Sequence, residues 1–357
     1  MSTERYQRQI QLADFGPEAQ SKLKRAKVLV VGAGGLGVPV LTYLNAMGVG
    51  TLGIVEADIV SVTNLHRQVL YSEAEVGQAK VDVVLKKLKS QNSETVLVPY
   101  PEFLANDNAL EIIADFDLVV DATDNFPTRY LINDACVILK KPFVYGALHG
   151  YEGQVSVFNY KGGPTYRCLF PTMPSSLEVP NCNEHGVLGV IPGIVGNLQA
   201  LEVVKVLTGI GAVLSGKLVL YNGLDQNFQK IKFGPIPSNL AITALQSDYG
   251  FECDSKENEI EAEAFEALVM AGNRYTIDVR TIQEFEQFHL DNTINLPLDT
   301  IEKWKHTLQL DRPVYLLCYS GARSQQAQSI LEAYWPSAHF INVKGGLLNL
   351  KTNVAKY

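Results

Sequence analysis

Lys27-Val28-Leu29-Val30-Val31-Gly32-Ala33-Gly34-Gly35-Leu36-Gly37 decides the fold. Lys27 to Val31 is short, apolar and β-branched, as a buried strand is, and it breaks into G-x-G-x-x-G with an extra glycine inside. In such a turn Gly32 permits the tight bend, Gly34 lets backbone approach a phosphate, and Gly37 lets helix and strand pack closely. A helix is expected to about Met47, with Gly48 as its C-terminal cap. Thr51 to Val55 reads as a second strand, ending in Glu56-Ala57-Asp58. Glu56 stands where a carboxylate meets a ribose hydroxyl in a βαβ nucleotide unit. The glycine string alone is a weak signal. Strand, turn, helix, strand and acid in sequence predict a nucleotide site.

The chain has 357 residues, enough for two domains. An apolar content of 46% with 19% charged residues fits a globular protein with sizeable cores. The net charge is −8, and from Glu259 onward 9 basic residues face 12 acidic ones, so neither half is basic. Direct nucleic-acid binding is therefore not expected. Met1 to Arg5 is polar, which predicts no secretory signal, and no apolar run approaches a membrane span. Five cysteines (Cys136, Cys168, Cys182, Cys253, Cys318) form no C-x-x-C pair. They read as reduced thiols of a cytoplasmic protein.

Arg5 and Arg8 precede a helix around Glu18 to Arg25, where charges usually form a solvated face. Asn64-Leu65-His66-Arg67-Gln68 reads as a loop just past the nucleotide turn. Gly77 to Lys80 opens a helix with its apolar stripe at Val81, Val84, Leu85 and Leu88. Lys80 lies off that stripe, either an ordinary surface lysine or one aimed at a ligand; position alone reads as surface. Val96 to Val98 and Leu118 to Val120 are the third and fourth strands, the latter running into Asp121-Ala122-Thr123-Asp124-Asn125. Parallel sheets bind ligands beyond the carboxyl ends of their strands, so two aspartates there are either used or capping the helix near Pro127. Phe143 to Tyr145 is a fifth strand, and Gln154 to Phe158 alternates like a half-exposed antiparallel strand. Tyr166 to Gly186 is a long proline-bearing loop with Cys168 and Cys182. Gly193 to Leu207 is helical, and Lys217 to Tyr221 and Phe228 to Phe233 close the sheet. The absence of G-x-x-x-x-G-K-[ST] rules out a P-loop for ATP.

The first ~235 residues resemble the ThiF/MoeB/HesA family of E1-like activating enzymes. The shared residues are Arg5-Tyr6-x-Arg8-Gln9, the Gly32 to Gly37 turn, Asn64-Leu65-x-Arg67-Gln68, Gly77-Gln78-x-Lys80 and Asp121-x-Thr123-Asp124-Asn125. Gly153-Gln154, Tyr166-Arg167-Cys168 and Leu198-Gln199-Ala200-x-Glu202 extend the match. The resemblance implies binding of ATP and Mg²⁺ and adenylation of the C-terminal glycine of a ubiquitin-like carrier protein. It places Gly35 at the phosphates, Glu56 on the ribose, and Arg67 and Lys80 against the triphosphate. Asp124 would organise Mg²⁺ with Asn125 beside it, and Asn64 and Gln68 would support the pocket. Arg8 would reach into the partner subunit's site of a homodimer. Cys182 matches a loop cysteine able to bond the activated carrier, or it is an inert thiol. Many relatives hold structural zinc in two C-x-x-C pairs; here Thr165 takes the first cysteine position and no second pair exists near Gly234 to Ser238, so no zinc is expected.

Gly234 to Asn258 is polar and proline-bearing and reads as a linker. Beyond it Phe265, Leu268 and Val269 mark an amphipathic helix, and Tyr275 to Arg280 a strand. The apolar strand Val314 to Leu317 delivers Cys318-Tyr319-Ser320-Gly321-Ala322-Arg323 to the start of a helix ending near Tyr334. Backbone N–H groups at a helix start stabilise an anion on sulfur. This unit resembles a rhodanese domain in Asp278-Val279-Arg280 with Glu284-Phe285 and His289, in Asn295-Leu296-Pro297-Leu298, in the six-residue Cys318 loop, and in Gly345-Gly346.

The whole is an α/β chain: a Rossmann-like E1 adenylation domain with a mixed sheet over residues 1–236, a linker over 237–258, and a smaller α/β rhodanese domain over 259–357. The pair of resemblances implies a sulfurtransferase-fused MoeB-like protein. It would adenylate a sulfur carrier ending in Gly-Gly, then deliver persulfide sulfur from Cys318, cradled by residues 319–323, to form a thiocarboxylate. The carrier, its pathway (molybdopterin, thiamine or thiolated tRNA) and the sulfur donor are not written in the motifs. Two alternatives stay open: activation of a non-protein carboxylate or tRNA group with the rhodanese idle, and a nucleotide-sensing scaffold.

Overall fold

The computed structural model describes residues 4–174, 186–247, 249, 258–271, 275–310, 312–335 and 338–350. These residues divide into two compact units, the first running to residue 249 and the second starting at residue 258.

The first unit opens with the short helix α1 (Gln7–Ile10) and with α2 (Gly16–Arg25). Strand β1 (Lys27–Val31) then leads through the glycine turn into α3 (Gly37–Met47) and β2 (Thr51–Val55). Gly48 ends α3 in the left-handed conformation that favours glycine. Helix α4 (Lys80–Gln91) returns the chain to β3 (Val96–Tyr100), and α5 (Ala109–Ala114) to β4 (Leu118–Asp121). Helix α6 (Phe126–Ile138) follows, then β5 (Phe143–His149) and β6 (Glu152–Phe158). The unit closes with α7 (Tyr166–Leu169), α8 (Val190–Thr208), β7 (Lys217–Asn222), β8 (Asn227–Lys232) and α9 (Pro237–Leu240).

One eight-stranded sheet runs β3-β2-β1-β4-β5-β6-β7-β8. The first five strands in that order pair in parallel and the last three are antiparallel, which makes the sheet mixed. The strand order reverses between β1 and β4, the usual place for a ligand crevice in an open α/β sheet. Each face carries its own core, Val28, Val30 and Leu44 on one side and Leu29, Phe143 and Phe158 on the other. Helix α8 is long and apolar enough to cross a membrane by composition, yet half of it is buried within this unit.

Two readings of this unit change. Strand β6 is antiparallel but not half-exposed: Val155, Ser156, Val157 and Phe158 are all buried. Val155 and Val157 face one core and Phe158 the other, so alternation of residue size does not track water. The span read as a linker begins with α9, where Asn239 Nδ2 donates to the Arg167 carbonyl at 2.9 Å. Further on, the Tyr249 hydroxyl donates to Asp134 Oδ2 at 2.7 Å, so the part through Tyr249 packs on the first unit.

The second unit has a five-stranded, wholly parallel sheet in the order β11-β10-β12-β13-β9. Its strands are β9 (Glu259–Glu261), β10 (Tyr275–Asp278), β11 (Thr293–Asn295), β12 (Val314–Leu317) and β13 (Phe340–Lys344). Its helices include α10 (Ala262–Ala271), α11 (Ile282–Gln287), α12 (Ile301–Trp304) and α13 (Ala322–Tyr334). Ile277, Leu316, Leu331 and Phe340 lie in one core and Phe265, Leu317 and Val343 in another.

Candidate functional site

The glycine turn is closed on itself and on the end of β4. Gly32 has φ +97°, and a Cβ there would lie 2.8 Å from the Ala122 carbonyl oxygen. A Cβ on Gly37 would collide with the Gly32 carbonyl, so the last glycine of the motif is required by the first, and the first by its left-handed turn and Ala122. A Cβ built at Gly34 would sit 3.5 Å from Gln68 Nε2, and one at Gly35 would sit 3.6 Å from Arg67 Cγ. Loop residues 64–68 therefore flank the turn. Asn64 contributes its carbonyl, which accepts the N–H of Arg67 at 3.1 Å and of Gln68 at 2.9 Å. Gln68 is buried and its Oε1 has no hydrogen-bond partner, an acceptor free for a ligand.

Glu56 is buried and holds the turn from below. Its Oε2 accepts the Ala33 N–H at 2.9 Å and its Oε1 the Asp58 N–H at 2.8 Å. Each carboxylate oxygen has a second lone pair, so both bonds leave room for a ribose hydroxyl. Tyr71, absent from the sequence reading, donates its hydroxyl to the Ala33 carbonyl at 2.8 Å. Burial, with Glu56 nearby, pushes that phenol well above its ordinary value.

Lys80 is not a surface lysine. It is 4% exposed, and its Nζ lies 3.0 Å from Asp58 Oδ2. The first turn of α4 starts beneath the loop after β2, and this covers a helix face that water was expected to cover. Arg67 is half-buried, with one Nη donating to the Thr63 carbonyl at 3.1 Å.

At the end of β4 the two aspartates separate. Asp121 is fully buried, and its Oδ1 accepts from the Thr123 N–H at 3.1 Å and hydroxyl at 2.6 Å. Burial raises its carboxyl above the ordinary range, against the opposing pull of Arg129. Arg129 Nε stands 4.0 Å from Asp121 Oδ2, a charge contact rather than a hydrogen bond. Its Nη2 donates to the Thr123 carbonyl at 3.0 Å, and its plane lies over the rings of Phe126 and Tyr145. Neither aspartate caps α6. Asn125 does, accepting the Thr128 N–H at 2.9 Å, and Asp124 is left exposed at the mouth of the site. Arg129 went unnoticed in the sequence. The available signal was that it is the one basic residue of α6, close behind a strand-end aspartate that needs a cation.

Arg8 is exposed on α1. Cys182 lies outside the described residues. Thr165 is fully buried, and its N–H and the Ile236 N–H reach Cys168 Sγ at 3.4 and 3.2 Å. Among the described residues, no group of three His, Cys, Asp or Glu gathers at metal-binding spacing.

In the second unit Cys318 follows β12 directly and is fully buried. Its Sγ receives the Gly321 N–H at 3.1 Å and the Ser324 hydroxyl at 3.4 Å. Gly345-Gly346 forms the floor: a Cβ on Gly346 would collide with the Cys318 carbonyl, whose oxygen accepts the Leu347 N–H at 2.9 Å. Tyr319, Ser320 and Ala322 are exposed around the sulfur. Arg323 was expected in the cradle, but its two Nη atoms each lie 2.7 Å from an oxygen of Glu284. The sulfur-facing donors are thus neutral groups. Asp278 and Arg280 pair with each other, and the Arg280 Nη2 also donates to the Phe288 carbonyl at 2.6 Å, which fixes the loop carrying His289.

Residues 6–239 match the ThiF family and residues 261–353 the rhodanese-like domain. The chain is 42% identical over 349 residues to the adenylyltransferase and sulfurtransferase MOCS3 of Aedes aegypti, across 90% of this chain and 80% of that protein. It is 54% identical over 233 residues to the sulfur carrier protein adenylyltransferase of Thermus thermophilus, across 64% of this chain and 86% of that one. Among solved structures, Escherichia coli MccB with MccA-N7isoASN superposes with a TM-score of 0.60 at 23% identity, over 68% of this chain and 75% of that one. That likeness shows the fold of the first unit.

Proposed function

The chain belongs to the ThiF family, and we propose that its two sites act in series on one carrier protein. The enzyme is an adenylyltransferase and sulfurtransferase: it adenylates a sulfur carrier and passes sulfur through its rhodanese-like domain. The observation that carries the reading is a match to a relative of both activities along 90% of the chain. The geometry of each site supports it.

ATP is the substrate at the glycine turn. Glu56, anchored under the turn at Ala33, accepts from the ribose, and the unpartnered Gln68 Oε1 accepts a further donor. Lys80 and Arg67 bring positive charge to the triphosphate, where positioning and electrostatics dominate catalysis. Asp124, exposed after β4, would hold Mg²⁺, which would supply further positive charge at the phosphates. The carboxylate of the carrier's terminal glycine attacks the α-phosphorus, and pyrophosphate leaves. Arg8 completes the site across a homodimer.

The Cys318 thiolate takes a sulfane sulfur and holds it as a persulfide against the Gly321 N–H. The outer sulfur attacks the acyl-adenylate carbonyl, AMP leaves, and an acyl-disulfide remains. Cys182 then attacks Cys318 sulfur, releasing the thiocarboxylate and leaving a disulfide for a cellular thiol to reduce. Zinc is not expected to take part, because Thr165 stands where relatives carry the first cysteine of the pair and a structural site needs four ligands. The cytoplasm, with its reduced thiols, is the compartment this chemistry needs.

ATP–pyrophosphate exchange tests the reading. Exchange is expected only with a carrier ending in Gly-Gly; exchange that ignores the carrier, or that a free carboxylate drives equally well, contradicts it.

A further inference from the structure

Arg323 is the one basic residue of the Cys318 loop, and its charge is cancelled in place. Its Nη1 and Nη2 each lie 2.7 Å from a Glu284 oxygen, a two-point fork. Glu284 is itself held: Oε2 also accepts the Thr281 N–H at 3.0 Å and hydroxyl at 2.8 Å, capping α11. The pair is therefore not a loose surface contact. Arg280, the neighbouring guanidinium, is likewise engaged with Asp278. What faces the buried sulfur is the Gly321 N–H and the Ser324 hydroxyl, two neutral donors. Neutral donors suit the single negative charge of a persulfide. A dianion entering the same site needs a free cation, because charge removed from water must be compensated.

Building on the sulfur-transfer reading above, we propose that Glu284 sets the donor specificity of the Cys318 site by occupying Arg323, so that sulfur is taken from thiol-borne persulfides rather than from small dianionic sulfane donors. With a persulfide donor, the Cys318 thiolate attacks the outer sulfur, the donor's S–S bond breaks, and its thiolate leaves. With thiosulfate the same attack expels sulfite. The electron count is identical, so the discrimination lies in binding the dianion.

The experiment uses the full chain with cyanide as acceptor, thiocyanate as readout, and thiosulfate or glutathione persulfide as donor. Glu284→Gln is expected to lower the thiosulfate KM by about tenfold at unchanged kcat, as a freed charge at a binding site does. Its KM for glutathione persulfide should hold within about twofold. Adding Arg323→Met to that variant removes the gain and returns the thiosulfate KM to within about twofold of wild type. If Glu284→Gln does not fold, Glu284→Ala, which frees the same guanidinium, takes its place in both comparisons. A thiosulfate KM that stays put, equal shifts for both donors, or a gain that survives loss of Arg323 overturns the proposal alone. No sulfur on Cys318 from either donor overturns the sulfur-transfer reading and this proposal with it.

Discussion

Lys80 Nζ lies 3.0 Å from Asp58 Oδ2, with the lysine side chain 5% and the aspartate side chain 57% exposed. The ammonium is thus held on the loop after β2 from inside the protein, and its carboxylate partner faces water. In the proposed ATP site this is the cation that would meet the triphosphate. Lys80→Met keeps the aliphatic stem and removes the charge. Carrier-dependent exchange is expected to fall about 10²-fold, with the fold retained by circular dichroism.

Among the described residues Arg129 is the cation paired with the buried Asp121, and it holds the carbonyl next to Asp124. Arg129→Gln leaves a buried carboxylate unpaired, which costs about 3 kcal/mol by urea unfolding. Exchange falls as well, because Thr123 loses its anchor; a variant that loses stability but keeps exchange would break the link between Arg129 and the Asp124 loop.

Gly346→Ala drives a methyl group into the Cys318 carbonyl and to 2.8 Å from the Gly321 N that serves the sulfur. At φ +54° the new residue is also strained. Sulfur loading on Cys318, read by mass spectrometry, is expected to drop at least about tenfold at a strain of about 1–3 kcal/mol, with ATP–pyrophosphate exchange unaffected.

The Arg323 fork, aided by Thr281, lowers Glu284 from its ordinary 4.5 to about 2. A carboxyl depressed on folding contributes stability above its unfolded value and loses it as pH falls through the folded one. The second unit of wild type is therefore expected to lose stability between about pH 4.5 and 2. Glu284→Gln should have a shallower acid limb there. Both tryptophans, Trp304 and Trp335, lie in this unit, so tryptophan fluorescence of the full chain reads it directly. Parallel acid limbs in the two proteins would contradict the assignment.

The βαβ core was legible because Val28 to Asp58 carries every signal locally: strand, paired glycines, capped helix, strand and acid. The Cys318 loop was legible for the same reason, its strand and helix being consecutive. What was not legible depends on distant partners. Lys80 reads as exposed from its own helix, since its partner Asp58 lies 22 residues earlier, on the loop after β2. Arg323 reads as a cradle cation because Glu284 lies 39 residues earlier. Strand β6 reads as half-exposed because nothing in Gln154 to Phe158 announces cores on both faces. Tyr71 and Arg129 carry no motif; Tyr71 matters through the Ala33 carbonyl, and Arg129 through the Thr123 carbonyl and the charge of Asp121.

The division of labour between the two sites is tested most directly by thiocarboxylate formation on the carrier, with ATP present and a sulfane donor limiting. Cys318→Ala is predicted to form none while exchanging pyrophosphate at the wild-type rate, and Asp124→Ala to lose both activities. Thiocarboxylate made by Cys318→Ala at the wild-type rate, or equal loss of exchange in the two variants, would contradict the account.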